Sequence, residues 1–317
     1  MNEQNILPTY KEIFAEIGKQ LNLRKSTLIK RIFLITWPVL LFMIVSYFLE
    51  LAYDFQSFTK EQWFLYMKFA IPYVLLTALY TVIVRFIFKI EKQIWLDSFF
   101  DKRDLTLSQS WRISMKLFWP VVLFRSKLWL HFYIIPIAVI IALFALMITL
   151  ILPSFNSPDE RIYILYTTLT LFAISTVSLI AYGYYLRTKL RYTYFIFLDF
   201  YGKSNSYTLV MEEMKKLNSI SKSETFKKSL ILGIGSDTLN GIATLAIGSI
   251  GNGLAQFGGG GKLLGGLIRA YGEEASRQVT ELGNISAQYI LYRFARKEVY
   301  GTEQEVNENI YQLANHD

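Results

Sequence analysis

Four long apolar runs dominate the pattern of hydrophobic and polar positions along this chain. They lie at residues 32–49, 67–90, 128–152 and 162–186. A helix needs about 17 to 25 mostly apolar residues to cross a hydrocarbon core roughly 30 Å thick. Each run reaches that length, so the pattern predicts an all-α, polytopic membrane protein with four transmembrane helices.

Composition and charge support the same class. Hydrophobic residues make up 53% of the chain and charged residues only 18%, with a mean hydropathy of +0.31. A soluble domain normally carries about 25% charged residues. The net charge of +8 comes from Lys and Arg beside the apolar runs, where the positive-inside bias and anionic lipid heads account for it. We therefore expect the lipid bilayer as a partner and exclude nucleic acid.

The loop charges predict the orientation. Basic residues are dense before the first run, in segment 90–127 and after residue 187, whereas the other two connections are mixed or acidic. Cytoplasmic loops carry the excess of Lys and Arg. The N terminus and the C terminus are therefore predicted to be cytoplasmic, in a bacterial inner membrane.

The segment before the first run predicts a short amphipathic helix. Thr9 and Glu12 have the spacing of a capping box, which satisfies free amides at a helix start. Tyr10, Ile13, Phe14, Ile17 and Leu21 then recur at helical spacing. This helix is expected to lie on the membrane or on the cytoplasmic core, with a partner-binding helix as the alternative.

Short sequence matches favour an internal duplication. Trp37-Pro38 and the four residues after it recur in similar form from Trp119-Pro120. Arg85, Lys89, Leu96 and Asp97 recur as Arg187, Arg191, Leu198 and Asp199. Such matches suggest two copies of a two-span hairpin, although matches this short also arise by chance. The predicted units are an N-terminal cytoplasmic helix at 1–31, hairpins with cytoplasmic extensions at 32–104 and 105–203, and a glycine-rich hairpin with a C-terminal cytoplasmic helix at 204–317.

A glycine-rich segment follows the fourth run. Fifteen of the 18 glycines fall between Gly233 and Gly301. The segment predicts a helical hairpin with one arm at about 229–255, a turn at Gly258 to Gly261 and a second helix from near Lys262. Small residues at alternating steps of four and three form one stripe, which allows close helix packing: Gly241, Thr244, Gly248, Gly251, Ala255 and Gly258. The sequence leaves open whether residues 229–257 enter the bilayer.

Asp237 continues that stripe and is the candidate for an ion or proton pathway. A carboxylate within a membrane is by default a functional hypothesis. The alternative is a structural role, in which Asp237 pairs with Lys227 or Lys228 or caps a helix.

Motifs for catalysis, cofactors or metals do not emerge. The chain has no cysteine, and its only histidines are His131 and His316. A metal site usually needs several His, Cys or carboxylate ligands at characteristic spacing. Gly261-Lys262 lacks the earlier glycine and the following Ser or Thr of a phosphate loop. We therefore expect no catalytic, cofactor or metal site.

One stretch is similar to a known family. The residues from Leu107 through Pro120 resemble the helix that precedes a span in the membrane domains attached to bacterial glycerophosphodiester phosphodiesterases and in their stand-alone relatives. The segment from Arg191 to Asp199, followed by a new amphipathic helix, resembles the same family. The resemblance covers about residues 105–235. It implies a membrane-embedded helical domain and no activity, because phosphodiesterase catalytic residues are not present.

Two functional hypotheses follow. The first is a non-enzymatic integral membrane protein that forms a homo-oligomer or scaffolds a membrane-protein partner through helix packing. The alternative is a transporter or channel component that uses Asp237. An enzyme acting on lipid is a weaker third, since it needs convergent carboxylates or a His base in a cleft.

Overall fold

The computed structural model describes residues 8–52, 59–100, 105–151, 158–204, 206–219, 222–301 and 313, and no strand occurs among them. The all-α prediction is confirmed. Nine helices lie in the described ranges: α1 (Tyr10–Leu23), α2 (Lys25–Ala52), α3 (Lys60–Phe100), α4 (Leu107–Ile151), α5 (Pro158–Lys189), α6 (Thr193–Asp199), α7 (Ser206–Ser219), α8 (Lys222–Ala255) and α9 (Gly259–Tyr300).

Four helical stretches among the described residues are long and apolar enough to cross a membrane. They are Lys25–Leu49, Lys60–Phe100, Tyr166–Asp199 and Glu224–Ala255. Three of them contain or overlap predicted runs, and the fourth is the first arm of the glycine-rich segment. The remaining predicted run is at 128–152. Residues 128–151 of it lie in α4, which ends at Ile151, and residue 152 lies outside the described residues.

Helix α3 changes character along its length. Its 41 residues extend about 60 Å at 1.5 Å per residue, roughly twice the thickness of a hydrocarbon core. From Trp63 to Ile83 most of the large apolar side chains are exposed, whereas eleven residues from Val84 to Ser98 are buried. The first half therefore has the surface of a membrane helix, and the second half belongs to a packed core.

That core defines the helical body of the protein. It combines α1, α6 and α7 with the buried half of α3, the first half of α4, Leu232 of α8 and the part of α9 from Ile285 onward. Ring contacts are frequent in it, and Phe195 lies 5.0 Å from Tyr289 and 5.5 Å from Tyr292 between ring centroids. Burial of large aromatic side chains makes the body the main apolar core among the described residues.

Helix α1 joins the body through its predicted cap. The Thr9 hydroxyl accepts a hydrogen bond from the Glu12 amide, and the Glu12 carboxylate accepts one from the Thr9 amide at 2.7 Å. The hydrogen bonds that the Thr9 amide and the Thr9 hydroxyl donate to this carboxylate lower the pKa of Glu12 from its usual value. The capping box is confirmed, and it places Ile13 in the core with no exposed surface.

Ion pairs fix α9 beside α3. Arg85 pairs with Glu274, and seven residues further along both helices Lys92 donates to Glu281 at 2.6 Å. Since both numbers rise together, α3 and α9 run parallel at this contact. The heptad step keeps each pair on the facing sides of the two helices.

Helix α8 packs antiparallel to α9. Ser236 donates to the carbonyl of Thr280 at 3.1 Å, and Ser276 donates to the amide oxygen of Asn240 at 3.0 Å. The residue numbers rise on α8 as they fall on α9. The two helices therefore form a hairpin. Its turn lies at residues 256–258 and α9 begins at Gly259, so the prediction of a turn at Gly258 to Gly261 with a helix from near Lys262 is wrong by about three residues.

Glycines let the two helices touch near that turn. A Cβ atom placed on Gly251 would lie 2.7 Å from the carbonyl oxygen of Gly265, and one on Gly265 would overlap the Gly251 backbone. Gly241 and Gly248 differ, since a Cβ atom there would meet nothing within 4 Å. The predicted small-residue stripe is thus used inside the hairpin at Gly251 and left open at Gly241 and Gly248.

A buried carboxylate holds α2 against α3. Glu91 pairs with Arg24 at 2.9 Å and with Arg31, and it accepts a hydrogen bond from Ser110 at 2.9 Å. Glu91 has no exposed surface, and the two arginines are at most 5% exposed. The Arg24 guanidinium also lies 3.9 Å from the centre of the Trp95 ring. Three helices thereby meet at one buried charge.

Candidate anion-binding cavity

A cavity of 890 Å³ lies where the helical body meets the apolar helices. Ligand pockets usually have volumes of about 300–1,000 Å³. Side chains from α3, α4, α5, α6, α8 and α9 line it. The cavity therefore lies between both predicted hairpins and the glycine-rich segment.

One wall of the cavity is cationic. It carries Lys89 of α3, Arg125 of α4, Arg187 of α5 and Arg191 of the connection to α6. No carboxylate is among the described residues that line the cavity. Converging cations without a carboxylate in the same wall produce a positive potential that attracts anions.

Two aromatic rings position Arg125. Its guanidinium lies 4.7 Å from the centre of the Phe86 ring and 4.5 Å from that of Tyr194. Cation–π contacts of this kind stabilise a guanidinium without neutralising it. Arg125 makes no ion pair within the described ranges, so its positive charge stays available to a ligand.

Arg191 is held more tightly. It is only 8% exposed, donates from Nη1 to the Thr188 carbonyl at 2.8 Å, and lies over the Tyr192 ring at 4.4 Å. Its Nε atom is buried and has no hydrogen-bond partner. A buried donor without a partner costs about 1–3 kcal/mol.

Glu281 lies behind the cationic wall. Its carboxylate accepts from Lys92 at 2.6 Å and lies 3.8 Å from Lys89. Burial raises the pKa of Glu281, but Lys92, Lys89 and Arg125 lower it more, so its pKa lies below the ordinary value. Glu281 is therefore ionised at neutral pH, and it compensates only part of the positive charge beside it.

The part of the lining that α8 and α9 contribute is uncharged and combines polar with apolar side chains. Within it, Ser229 donates to the side-chain oxygen of Gln288 at 2.8 Å. The side-chain oxygen of Asn284 is buried without a partner. Gly233 leaves space beside these residues, since a Cβ atom placed on it would meet nothing within 4 Å.

The cavity borders the exposed apolar surface. Trp129 lines it and is half exposed, and Leu130 and Ile134 on the following turn of α4 are exposed as well. Ile180 on α5 and Ile231 on α8 are also exposed. Tryptophan and tyrosine favour the membrane–water interface. A cavity that Trp129 lines and exposed apolar side chains border is therefore typical of a site at the depth of the lipid headgroups.

Asp237, the sequence candidate for an ion pathway, lies at the edge of this site. Its carboxylate pairs with Arg187 and accepts a hydrogen bond from the Tyr184 hydroxyl at 3.1 Å. Both partners come from α5 and line the cavity. In this arrangement Asp237 orients a cavity arginine, and it pairs with neither Lys227 nor Lys228.

The two aspartates matched by the proposed duplication occupy similar positions. Asp97 accepts a hydrogen bond from Tyr289 at 2.7 Å, and Asp199 accepts one from Tyr292. Burial, followed by the Asp199 charge, raises the pKa of Tyr292 well above its ordinary value, so the hydroxyl keeps its proton and donates. The duplication stays a prediction to which this parallel adds weight.

Sequence reasoning reached part of the site. The sequence matches to Arg85 and Lys89 singled out Arg187 and Arg191. Arg125 belongs to the basic segment 90–127, which served only to predict the orientation in the membrane. Asn284 and Gly233 gave no signal of a site, because a single amide or glycine in a helix has no distinctive spacing. Within the described ranges, no group of three metal-ligating side chains occurs.

Comparison with family models, curated proteins and solved structures finds no match to this chain. The resemblance to the membrane domains of glycerophosphodiester phosphodiesterases therefore stays a prediction.

Proposed function

We propose that this is a non-enzymatic integral membrane protein that binds the headgroup of an anionic phospholipid in the cavity. The observation that carries the proposal is the wall formed by Lys89, Arg125, Arg187 and Arg191, with no carboxylate in the described lining. Guanidinium groups bind phosphate oxygens through short, charge-assisted hydrogen bonds. Basic pockets between membrane helices are a recurrent place for such headgroups.

A lipid fits better than a soluble anion because of what surrounds the cations. Exposed apolar side chains of α4, α5 and α8 begin directly beside the cavity. An amphiphile can place its phosphate against the arginines while its acyl chains cover these helices. A small soluble anion would leave that apolar surface uncovered.

The loop charges supply an orientation for this proposal. The helical body would face the cytoplasm of a bacterial cell, with both chain termini on that side of the inner membrane. The cavity would then open at the cytoplasmic leaflet, whose anionic lipids attract basic segments.

Lipid titration tests the proposal. The protein, purified in a non-ionic detergent, is titrated with dioctanoyl phosphatidylglycerol and dioctanoyl phosphatidylcholine, and binding is followed calorimetrically. We expect binding of the anionic lipid, weakened roughly 10- to 100-fold in Arg125→Gln and in Arg191→Gln, as for loss of a charged hydrogen bond.

The control is Lys127→Gln. It removes an exposed cation that lies on α4, like Arg125, but outside the cavity lining, and it should leave the affinity unchanged. Equal affinity for both lipids would overturn the proposal. Displacement of the lipid by equimolar glycerol 3-phosphate or inorganic phosphate would instead identify a soluble anion as the ligand.

Self-assembly is a second candidate, favoured by the open faces of Gly241 and Gly248. Small residues without neighbours permit another helix to approach closely. If copies of the chain assemble there, Gly248→Leu should lower the oligomeric mass measured by light scattering in mild detergent. An unchanged mass would remove this candidate.

A further inference from the structure

We infer that the lipid recognised by the cavity carries hydroxyl groups in its headgroup, as a polyol phosphodiester does. This inference rests on the proposed function and makes it more specific. It comes from the uncharged part of the lining, which includes Ser229, Gly233, Asn284 and Gln288 and carries no charge that could neutralise a phosphate.

The amide of Asn284 needs a hydrogen-bond donor. Its side-chain oxygen is buried in the cavity wall and has no partner. A buried acceptor without a partner costs free energy, and a donor from the ligand would recover it once rotation of the side chain turns this oxygen into the cavity. A phosphate diester offers acceptors only, so the donor has to come from the rest of the headgroup.

The charges around the cavity restrict what that donor is. Five cations, Lys89, Lys92, Arg125, Arg187 and Arg191, surround or back the site, against the two carboxylates Glu281 and Asp237. An ammonium group in the headgroup would be repelled by this excess of three positive charges. A neutral hydroxyl donates without that repulsion.

The space beside the amide accommodates such a group. Gly233 has no Cβ atom, and the position that a Cβ atom would occupy has no neighbour within 4 Å. The cavity volume of 890 Å³ greatly exceeds the share of a single water, about 30 Å³ in the liquid. The headgroup can therefore extend past the phosphate as far as Asn284.

Charge alone predicts the opposite preference, which makes the inference testable. Phosphatidic acid carries a terminal phosphate with up to two negative charges, and phosphatidylglycerol carries one. A cavity that measured only charge would favour phosphatidic acid. A preference for phosphatidylglycerol has to come from its hydroxyl groups.

The test measures dissociation constants of dioctanoyl phosphatidylglycerol, phosphatidic acid, phosphatidylserine and phosphatidylcholine for the detergent-purified full chain. We expect phosphatidylglycerol to bind about tenfold more tightly than phosphatidic acid or phosphatidylserine, as for one hydrogen bond to a buried acceptor. Asn284→Leu should abolish this ratio and leave the affinity for phosphatidic acid unchanged.

Two further variants make the result unambiguous. Asn284→Asp keeps the acceptor and adds a negative charge, so both affinities should fall, that for phosphatidic acid at least as much, and the preference for phosphatidylglycerol should persist. Asn252→Leu makes the same change as Asn284→Leu at an exposed position of α8 outside the cavity lining and should change neither affinity.

Equal or tighter binding of phosphatidic acid by the wild-type protein would overturn the inference and leave the proposed function standing. If none of the anionic lipids binds more tightly than phosphatidylcholine, the proposed function fails as well. A preference that persists in Asn284→Leu would assign the hydroxyl to a different residue and overturn the role given to Asn284.

Discussion

Replacing Glu91 with glutamine is expected to lower the free energy of unfolding by about 3–5 kcal/mol, the usual cost of breaking a buried ion pair. Glu91 is the shared partner of Arg24 and Arg31, and all three side chains are buried. Without the carboxylate, two guanidinium groups stay in the core uncompensated. The change also removes the charge that Ser110 contacts from α4.

Thermal unfolding in detergent, followed by circular dichroism, measures this loss. Glu212→Gln is the matched control, because Glu212 is exposed on α7. A Glu91→Gln protein that unfolds at the same temperature as the control would show that the three buried charges are not essential to the body.

A triple variant separates lost charge from lost packing at Glu91. Replacing Arg24, Arg31 and Glu91 together with methionine should recover much of the stability, because well-packed apolar replacements of a buried ion cluster are often neutral or stabilising. If the triple variant is less stable than Glu91→Gln, the destabilisation comes from the packing of these side chains.

Filling the cavity should abolish lipid binding while the fold is retained. Gly233→Leu places a side chain in the lining of the cavity, at a position where a Cβ atom meets no neighbour. Leucine is about 1 kcal/mol more favourable than glycine inside a helix, so α8 should not be weakened. We therefore expect loss of phosphatidylglycerol binding together with an unchanged or higher unfolding temperature.

Gly235→Leu is the control for this prediction. Gly235 lies two residues along the same helix, is exposed, and is also free of neighbours at its Cβ position. The propensity gain should be the same, and lipid binding should persist. Equal binding by both variants would place the lipid outside the cavity.

The membrane helices could be predicted from sequence because their signal is local. The length of an apolar run can be counted in the sequence, and comparing it with the bilayer thickness does not require knowing which helices pack against it. The cap of α1 is equally local, since Thr9 and Glu12 are three residues apart and satisfy each other's backbone amides. In both cases the residues that decide the structure are sequence neighbours.

In the glycine-rich segment, the sequence alone does not determine which small residues contact the neighbouring helix. Its small residues predicted close packing, and Gly251 does face Gly265 across the hairpin. Periodicity does not say which of several small positions faces the neighbouring helix. That choice depends on the register between α8 and α9, which hydrogen bonds such as Ser236 to Thr280 fix.

The sequence by itself determined an all-α chain with helices that suit a membrane, basic ends to those helices and a cap at α1. Only the tertiary structure decided which charges are buried and which stay available. Lys92 and Glu281 meet across 189 residues of chain, and Arg125 forms no ion pair within the described ranges. Coulomb energies depend on distance and local dielectric, and both are set by packing, so a cationic cavity is a property of the fold.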